Sequence, residues 1–264
     1  HTGLQVEMTI NPAPANHGIK FQRVDLEDQP VIDAIADYVT APSRGTTLEK
    51  NGAKISTLEH VMASMFGMGV DNALVTINAP EVPIMDGSAR AYVEAILKVG
   101  LEEQDADRWY FEVKEKIVYK DEESGKEIVV LPDDHFSIET MIDFNSKVLG
   151  NQYARMADVQ DFAEEIAPCR TFVFLHEVEI LLKNNLIKGG DLENAIIVVE
   201  KEIPKEELDH LSSLFNKPSI DVIPGGGYLN NLKLRFPNEP ARHKLLDMVG
   251  DLGLVGYPIK GKVI

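Results

Sequence analysis

What the 264-residue chain lacks narrows its chemistry before any motif is read. It has one cysteine, Cys169, so no intrachain disulfide can form, and the composition suits a reducing compartment, expected to be the cytoplasm. No uninterrupted apolar run approaches the roughly 18–20 residues that a membrane-crossing helix requires, so stable membrane insertion is not expected. Cations are scarce: 26 Lys and Arg stand against 43 Asp and Glu, a formal net charge of −17. A surface of that sign repels phosphate backbones and argues against nucleic acid as a partner, so an anionic small molecule has to be met by a few local cations. No basic segment followed by an apolar stretch opens the chain, so no signal peptide is visible; with His1 first, the opening strand is expected to be incomplete. Repeats and low-complexity tracts are also missing. What is present, 44% hydrophobic and 26% charged residues, lies in the globular range and can fill one or two cores.

Periodicity suggests an α+β protein. Leu4, Val6, Met8 and Ile10 alternate with polar residues as in a half-buried strand, which Asn11-Pro12 is expected to stop. Further strands are predicted at 19–24 and 73–77. Between them, Ser56-Thr57-Leu58-Glu59 reads as a capping box, followed by a helical stripe of Leu58, Val61, Met62, Met65 and Phe66 that ends at Gly67 and Gly69. Ser88 can cap a second helix reaching about Val99. The polar stretch 102–108 then marks a domain boundary, giving domains 1–106 and 107–264. In the second, 109–119 is strand-like, 127–131 and 136–142 form an antiparallel meander, and an apolar helix over 174–184 precedes a buried strand at 195–199. Helices over 205–215 and 240–252 and a strand-like tail, 255–264, complete it. Two halves of sheet followed by helices suggest paired α+β layers.

Two helical segments carry residues suited to chemistry. His60 falls opposite the apolar stripe of its helix, beside small Ala63 and Ser64, where it is either a surface or hydrogen-bonded histidine or a ligand. Glu59 either returns a hydrogen bond to the cap or offers a free carboxylate. On the later helix, with His243 at the origin of the wheel, Asp247 lies at about 40° and Asp251 at about 80°, while Leu245, Leu246, Met248, Val249 and Leu252 cover the other side. Such a face can be solvated, with His243 and Asp247 a simple i, i+4 pair. It can equally present an imidazole and a carboxylate to one metal ion; with His60 that makes three ligands and leaves a fourth position open. Gly225-Gly226-Gly227 is a loop rather than a phosphate-binding fingerprint, and Cys169 is expected to pack.

The words His1-Thr2-Gly3, Ser56-Thr57-Leu58-Glu59-His60, Asp71-Asn72-Ala73, the long run Ala79-Pro80-Glu81-Val82-Pro83-Ile84-Met85-Asp86-Gly87-Ser88-Ala89, Arg170-Thr171-Phe172, Gly189-Gly190 and Arg242-His243-Lys244 with Asp247, Gly250, Asp251 and Leu252 occur in one order along the chain. In this order they resemble the UDP-3-O-acyl-N-acetylglucosamine deacetylase family, the zinc amidases of bacterial lipid A synthesis. The resemblance implies two similar domains, each a mostly antiparallel sheet packed on helices, with the active site between them, one Zn²⁺ on His60, His243 and Asp247, Glu59 as general base, and the Thr171 hydroxyl as oxyanion donor. The His2Asp set also accepts iron or cobalt. It further implies that Lys244 meets the substrate diphosphate, that Phe172 flanks the sugar, and that Leu175, Val178, Ile187 and Leu192 line an acyl passage in an insert around 172–199; an apolar helix there is equally plain core. Residues 79–88 are read as a turn without catalytic duty. Family members carry a Gly-His shortly beyond the strand that ends here at Ile264, oriented by the aspartate matching Asp251. No residue replaces that histidine, so the 264 residues alone are expected to turn over poorly, or to be part of a longer enzyme. The implied partner is an acylated UDP-aminosugar, and some members continue into a hydroxyacyl-carrier-protein dehydratase domain. The competing reading is a non-catalytic module that binds nucleotide-sugar or acyl chain on the same scaffold.

Overall fold

The structure, a computed structural model, describes residues 2–40, 45–183, 191–215, 217, 219–223 and 226–264. Its first half runs β1 (Met8–Pro12), β2 (Ile19–Arg23), β3 (Val31–Asp33), β4 (Val39–Thr40), β5 (Thr47–Lys50), β6 (Ala53–Ser56), α1 (Glu59–Gly67), β7 (Ala73–Ile77) and α2 (Arg90–Val99). The second half runs β8 (Phe111–Glu112), β9 (Ile117–Lys120), β10 (Glu127–Leu131), β11 (Phe136–Ile142), β12 (Gln152–Met156), β13 (Phe172–Phe174), α3 (Leu175–Lys183), β14 (Ile196–Val198), α4 (Lys205–Leu214), α5 (Glu239–Leu252) and β15 (Ile259–Val263).

Two sheet-rich parts result. The first holds a four-stranded sheet, β1-β7-β2-β3, and a three-stranded one, β4-β5-β6; the second holds a sheet ordered β12-β11-β15-β10-β9, to which β8 adds beside β15. Ala73, Val75 and Ile77 turn alternately inward, as a period of two requires, and pack with Phe21, Ile32, Leu48 and Ile55 against Leu58, just before α1, and Val61, Met62 and Met65 within it. In the second part Phe136, Ile138, Ala154 and Met156 pack against Ala241, Leu245, Leu246 and Val249 of α5, and Ala63 of α1 joins that same cluster. The two helices thus lie against each other between the sheets, the most extensive helix contact among the described residues. The α+β layering is as expected.

Three local expectations are corrected. Strand β1 begins at Met8 rather than Leu4, includes Asn11 and ends at Pro12, where the stop was expected. Asn11 Nδ2 donates to the Leu74 carbonyl of β7 at 3.0 Å, and β1 is an edge strand, where the missing proline N–H disrupts little. The meander is interrupted: β10 pairs with β9, but the last strand, β15, lies between β10 and β11, antiparallel to the first and parallel to the second. Residues 109–119 split into β8, which pairs in parallel with β15, and β9. Parallel β13 and β14, joined through α3, form a separate two-stranded layer. Among the described residues no helix is long and apolar enough to cross a membrane.

Candidate metal centre

The capping box does not form. Ser56 lies in β6 and its hydroxyl donates to the Pro80 carbonyl at 3.1 Å. Thr57 has a φ of 58° and sends its hydroxyl to Glu81 Oε1 at 3.2 Å. This turn swings the chain directly from β6 into α1, so the Glu59 carboxylate is not engaged by a cap. His60, placed by the helical wheel away from the main apolar stripe, is not at the surface. It is 4% exposed, because α5 covers that side of α1. The polar arc of α5 faces the same seam: His243 is buried and Asp247 half-buried, while Asp251 stays exposed near the helix end. Gly250 sets the approach. A Cβ there would sit 2.0 Å from the Glu59 carbonyl oxygen, so only glycine lets the two backbones touch.

The seam brings three ligand-type atoms together. His243 Nε2 and His60 Nε2 lie 3.4 and 3.6 Å from the same oxygen, Asp247 Oδ1, and the group converges within 4.8 Å. The imidazoles meet edge to face at 5.0 Å. His243 Nδ1 lies 3.0 Å from the Cys169 carbonyl, which can only accept, so Nδ1 carries the proton and Nε2 the inward lone pair. Burial pushes His243 down to about 4 despite Asp247 beside it, so it is neutral near pH 7. Burial works against an ionised Asp247, but His243, Lys244 and His60 outweigh it and hold its pKa below the ordinary carboxylate range. Asp247 Oδ1 is nevertheless buried without a hydrogen-bond partner, a situation costing about 1–3 kcal/mol or more unless a cation answers it. Ligands about 2.0–2.2 Å from a tetrahedral ion lie roughly 3.3–3.6 Å apart, and the two distances above fall in that range. The donor set fits a divalent ion.

Around this centre, Glu59 precedes His60, and burial, with Asp247 adding to it, raises its pKa despite His60 nearby. Its Oε2 accepts from the Thr46 backbone N–H at 3.0 Å. The Thr46 hydroxyl donates to Asp251 Oδ1 at 2.5 Å. Lys244 Nζ donates to Asp247 Oδ2 at 2.7 Å and stands 5.7 Å from the centre of the Phe172 ring. Nearby carboxylates, Asp247 foremost, overcome the burial of Lys244 and keep it charged. Thr171 is reached through its backbone, its N–H bonded to the Gly87 carbonyl and its carbonyl accepting from Ile196.

Sequence reasoning missed what holds this strand in place. Glu239, wholly buried, accepts from the Arg170 backbone N–H at 3.0 Å and from Arg170 Nε at 2.9 Å. That pair ties residues 169–171 to the first turn of α5. Residues 79–88 contribute likewise: Asp86 Oδ2 pairs with Arg235 Nη2 at 2.9 Å, joining the two halves. Neither partnership leaves a local signal, since the partners are distant in sequence. Leu175, Val178 and Leu192 lie apart from the centre, in a satellite core with Ile197, Val199, Leu208 and Leu211. Ile187, Gly189, Gly190, Gly225 and His1 fall outside the described residues. A second acidic group, Asp133, Asp134 and His135, is largely exposed, and the His135 Nδ1 already lies 2.7 Å from Asp134.

Comparison with known proteins gives a consistent picture. Residues 1–212 and 217–264 match the family model described as UDP-3-O-acyl N-acetylglycosamine deacetylase. Over 264 residues the chain is 50% identical to the bifunctional enzyme LpxC/FabZ of Bacteroides thetaiotaomicron, covering 100% of this chain and 57% of the relative. It is 48% identical to the protein of the same name from Porphyromonas gingivalis, again over 100% of this chain and 57% of the relative. It is 39% identical to the UDP-3-O-acyl-N-acetylglucosamine deacetylase of Myxococcus xanthus, over 99% of this chain and 75% of that protein. The chain therefore spans little more than half the length of the bifunctional relatives.

Proposed function

Because the chain belongs to the UDP-3-O-acyl N-acetylglycosamine deacetylase family, we propose that it hydrolyses the N-acetyl amide of a UDP-3-O-acyl-N-acetylglucosamine, giving the free amine and acetate, as a step of lipid A synthesis. The observation that carries this reading is the pair of imidazole Nε2 atoms closing on an unpartnered, buried Asp247 Oδ1 directly beside Glu59. His60, His243 and Asp247 would hold one Zn²⁺. When bound, such an ion supplies Lewis acidity, making water acidic near neutral pH and drawing charge from a carbonyl.

The remaining steps belong to the protein. Glu59 accepts a proton from the attacking water; its Oε2 is held by the Thr46 N–H, which leaves Oε1, over which Gly45 presents no side chain, to take it. Its raised pKa suits a group that must take up and release a proton. The Thr171 hydroxyl donates to the tetrahedral oxyanion. Lys244, charged and adjacent to Phe172, gives the acidic surface a local cation for a diphosphate, while Phe172 flanks the sugar. Asp251 orients the group that protonates the departing amine. Leu175, Val178, Ile187 and Leu192 would receive the acyl chain, for which the satellite core would have to open.

The decisive measurement is zinc content and acetate release in the full-length protein and in a Glu59→Ala variant. The variant should keep about one zinc per chain and lose about 10²–10⁴-fold in turnover, the ordinary contribution of a general base. Unchanged turnover removes Glu59 from this role, and no metal-dependent acetate release in the wild type leaves a binding module as the better reading.

A further inference from the structure

We propose that Thr46 is a positioning residue that sets Glu59 and Asp251 relative to each other across the seam. The role deepens the hydrolase reading and rests on it. All three polar groups of Thr46 are engaged at the ends of two different helices. Its N–H donates to Glu59 Oε2 at 3.0 Å, its carbonyl accepts from Leu58 N at 3.4 Å, and its hydroxyl donates to Asp251 Oδ1 at 2.5 Å. Glu59 opens α1 and Asp251 lies in the last turn of α5, so Thr46 is a bridge supplied by neither helix.

The local fold explains how it arrives there. Thr47 begins β5, which pairs antiparallel with β6, and β6 leads through Thr57 into α1. The register Thr47↔Ser56 places residue 46 beside the start of the helix. Gly45, at a φ of 149°, completes the approach: a Cβ there would lie 2.9 Å from Glu59 Oε1. A side chain at residue 45 would therefore crowd the carboxylate where it now sits.

Two carboxylates of like charge on separate helices have no direct means of fixing their mutual orientation. Glu59 has three side-chain torsions, and Asp251 is exposed and free to turn. One donor on each, both from a single residue, removes that freedom. Thr46→Val keeps the shape and both backbone bonds and deletes the hydroxyl alone, while Thr46→Ser keeps the hydroxyl.

The test measures zinc per chain, kcat, KM and thermal midpoint in the full-length protein for Thr46→Val, Thr46→Ser, Asp251→Ala and the Thr46→Val/Asp251→Ala double variant. Thr46→Val should keep its zinc and its KM within about twofold while kcat falls about tenfold or more, the signature of lost orientation rather than lost binding. Thr46→Ser should restore kcat to within about twofold. In the Asp251→Ala background, Thr46→Val should change neither kcat nor midpoint appreciably, because the hydroxyl's partner has gone. Wild-type kcat in Thr46→Val, equal damage in Thr46→Ser, or full additivity with Asp251→Ala each overturns the proposal. A wild-type protein that releases no acetate is a distinct outcome: it removes the hydrolase reading and the positioning role falls with it.

Discussion

The seam between α1 and α5 and the insert built from β13, α3, β14 and α4 are both buried, yet they bury opposite things. In the seam, imidazoles and carboxylates face one another across backbones held in contact at Gly250. In the insert, the aliphatic side chains of Leu175, Val178, Leu192, Ile197, Leu208 and Leu211 fill space against one another. A core of aliphatic groups tolerates small shifts, because dispersion contacts fade gradually and side chains can repack. A ligand set does not, since donor atoms displaced by about half an ångström no longer share one ion. Damage to the seam should therefore appear in metal content and turnover, and damage to the insert in stability and substrate preference.

The largest effect is expected where the seam is held from behind. Glu239→Gln removes the charge that answers Arg170, whose guanidinium is itself 4% exposed. A buried ion pair broken on one side costs about 3–5 kcal/mol. The thermal midpoint should fall by at least about 6–10 °C at the usual scaling for a domain of this size. Because Arg170 adjoins the Cys169 carbonyl on His243, zinc affinity should weaken as well. A large midpoint drop with native zinc affinity would show that the ion pair serves the fold alone.

Gly250→Ala attacks the seam itself. The new methyl would meet the Glu59 carbonyl at 2.0 Å, and no rotamer relieves a Cβ clash, so the helices must separate. Overpacking of this kind costs about 1–3 kcal/mol, less than the lost ion pair, but its direction is the one the ligands cannot follow. Zinc content measured by atomic absorption should fall well below one per chain, with a midpoint lowered by a few degrees. Full zinc occupancy would mean that the helices can part without opening the centre.

These contrasts also show what the sequence could and could not disclose. His243 and Asp247 share a helical face by their four-residue spacing, and the apolar stripe from Leu58 to Phe66 announces α1; both are local facts. A helical wheel cannot say what lies beyond it, so His60 reads as a candidate surface residue until α5 is seen to cover it. Ser56 and Glu59 carry the spacing of a capping box, but Ser56 is already committed to β6, and strand pairing with Thr47 prevails over the local motif. Thr46, Glu239 and the insertion of β15 between β10 and β11 depend on contacts between distant positions. No periodicity encodes these. The α3 helix, by contrast, was legible from spacing alone, though spacing leaves core and acyl passage equivalent.

Val178→Ala sharpens the other side of the comparison. Val178 is 2% exposed within the satellite core, and deleting two methyl groups there should cost about 1.5–2 kcal/mol. Zinc content should stay at the wild-type value. If the insert receives the acyl chain, the added space should shift kcat/KM toward longer or bulkier acyl groups by a few-fold. Equal effects on every chain length would assign Val178 to the fold only.

The smallest expected effect is a reaction that does not occur. Cys169 is fully buried, its thiol is pushed up to about 12 chiefly by burial, and its Sγ contacts the Glu165 carbonyl at 3.4 Å. As the thiolate is the reactive form, a thiol reagent at neutral pH should label the native protein only at the rate at which the segment opens, and label it fully in denaturant. Cys169 also supplies the carbonyl on His243, so under native conditions its labelling rate reports opening at the seam. Gly250→Ala should accelerate labelling strongly, whereas Val178→Ala, of similar cost in stability, should leave it near the wild-type rate under native conditions. If both variants accelerate it equally, the two regions open as one cooperative unit, and their separation into a seam of polar ligand groups and an independently packed aliphatic insert no longer holds.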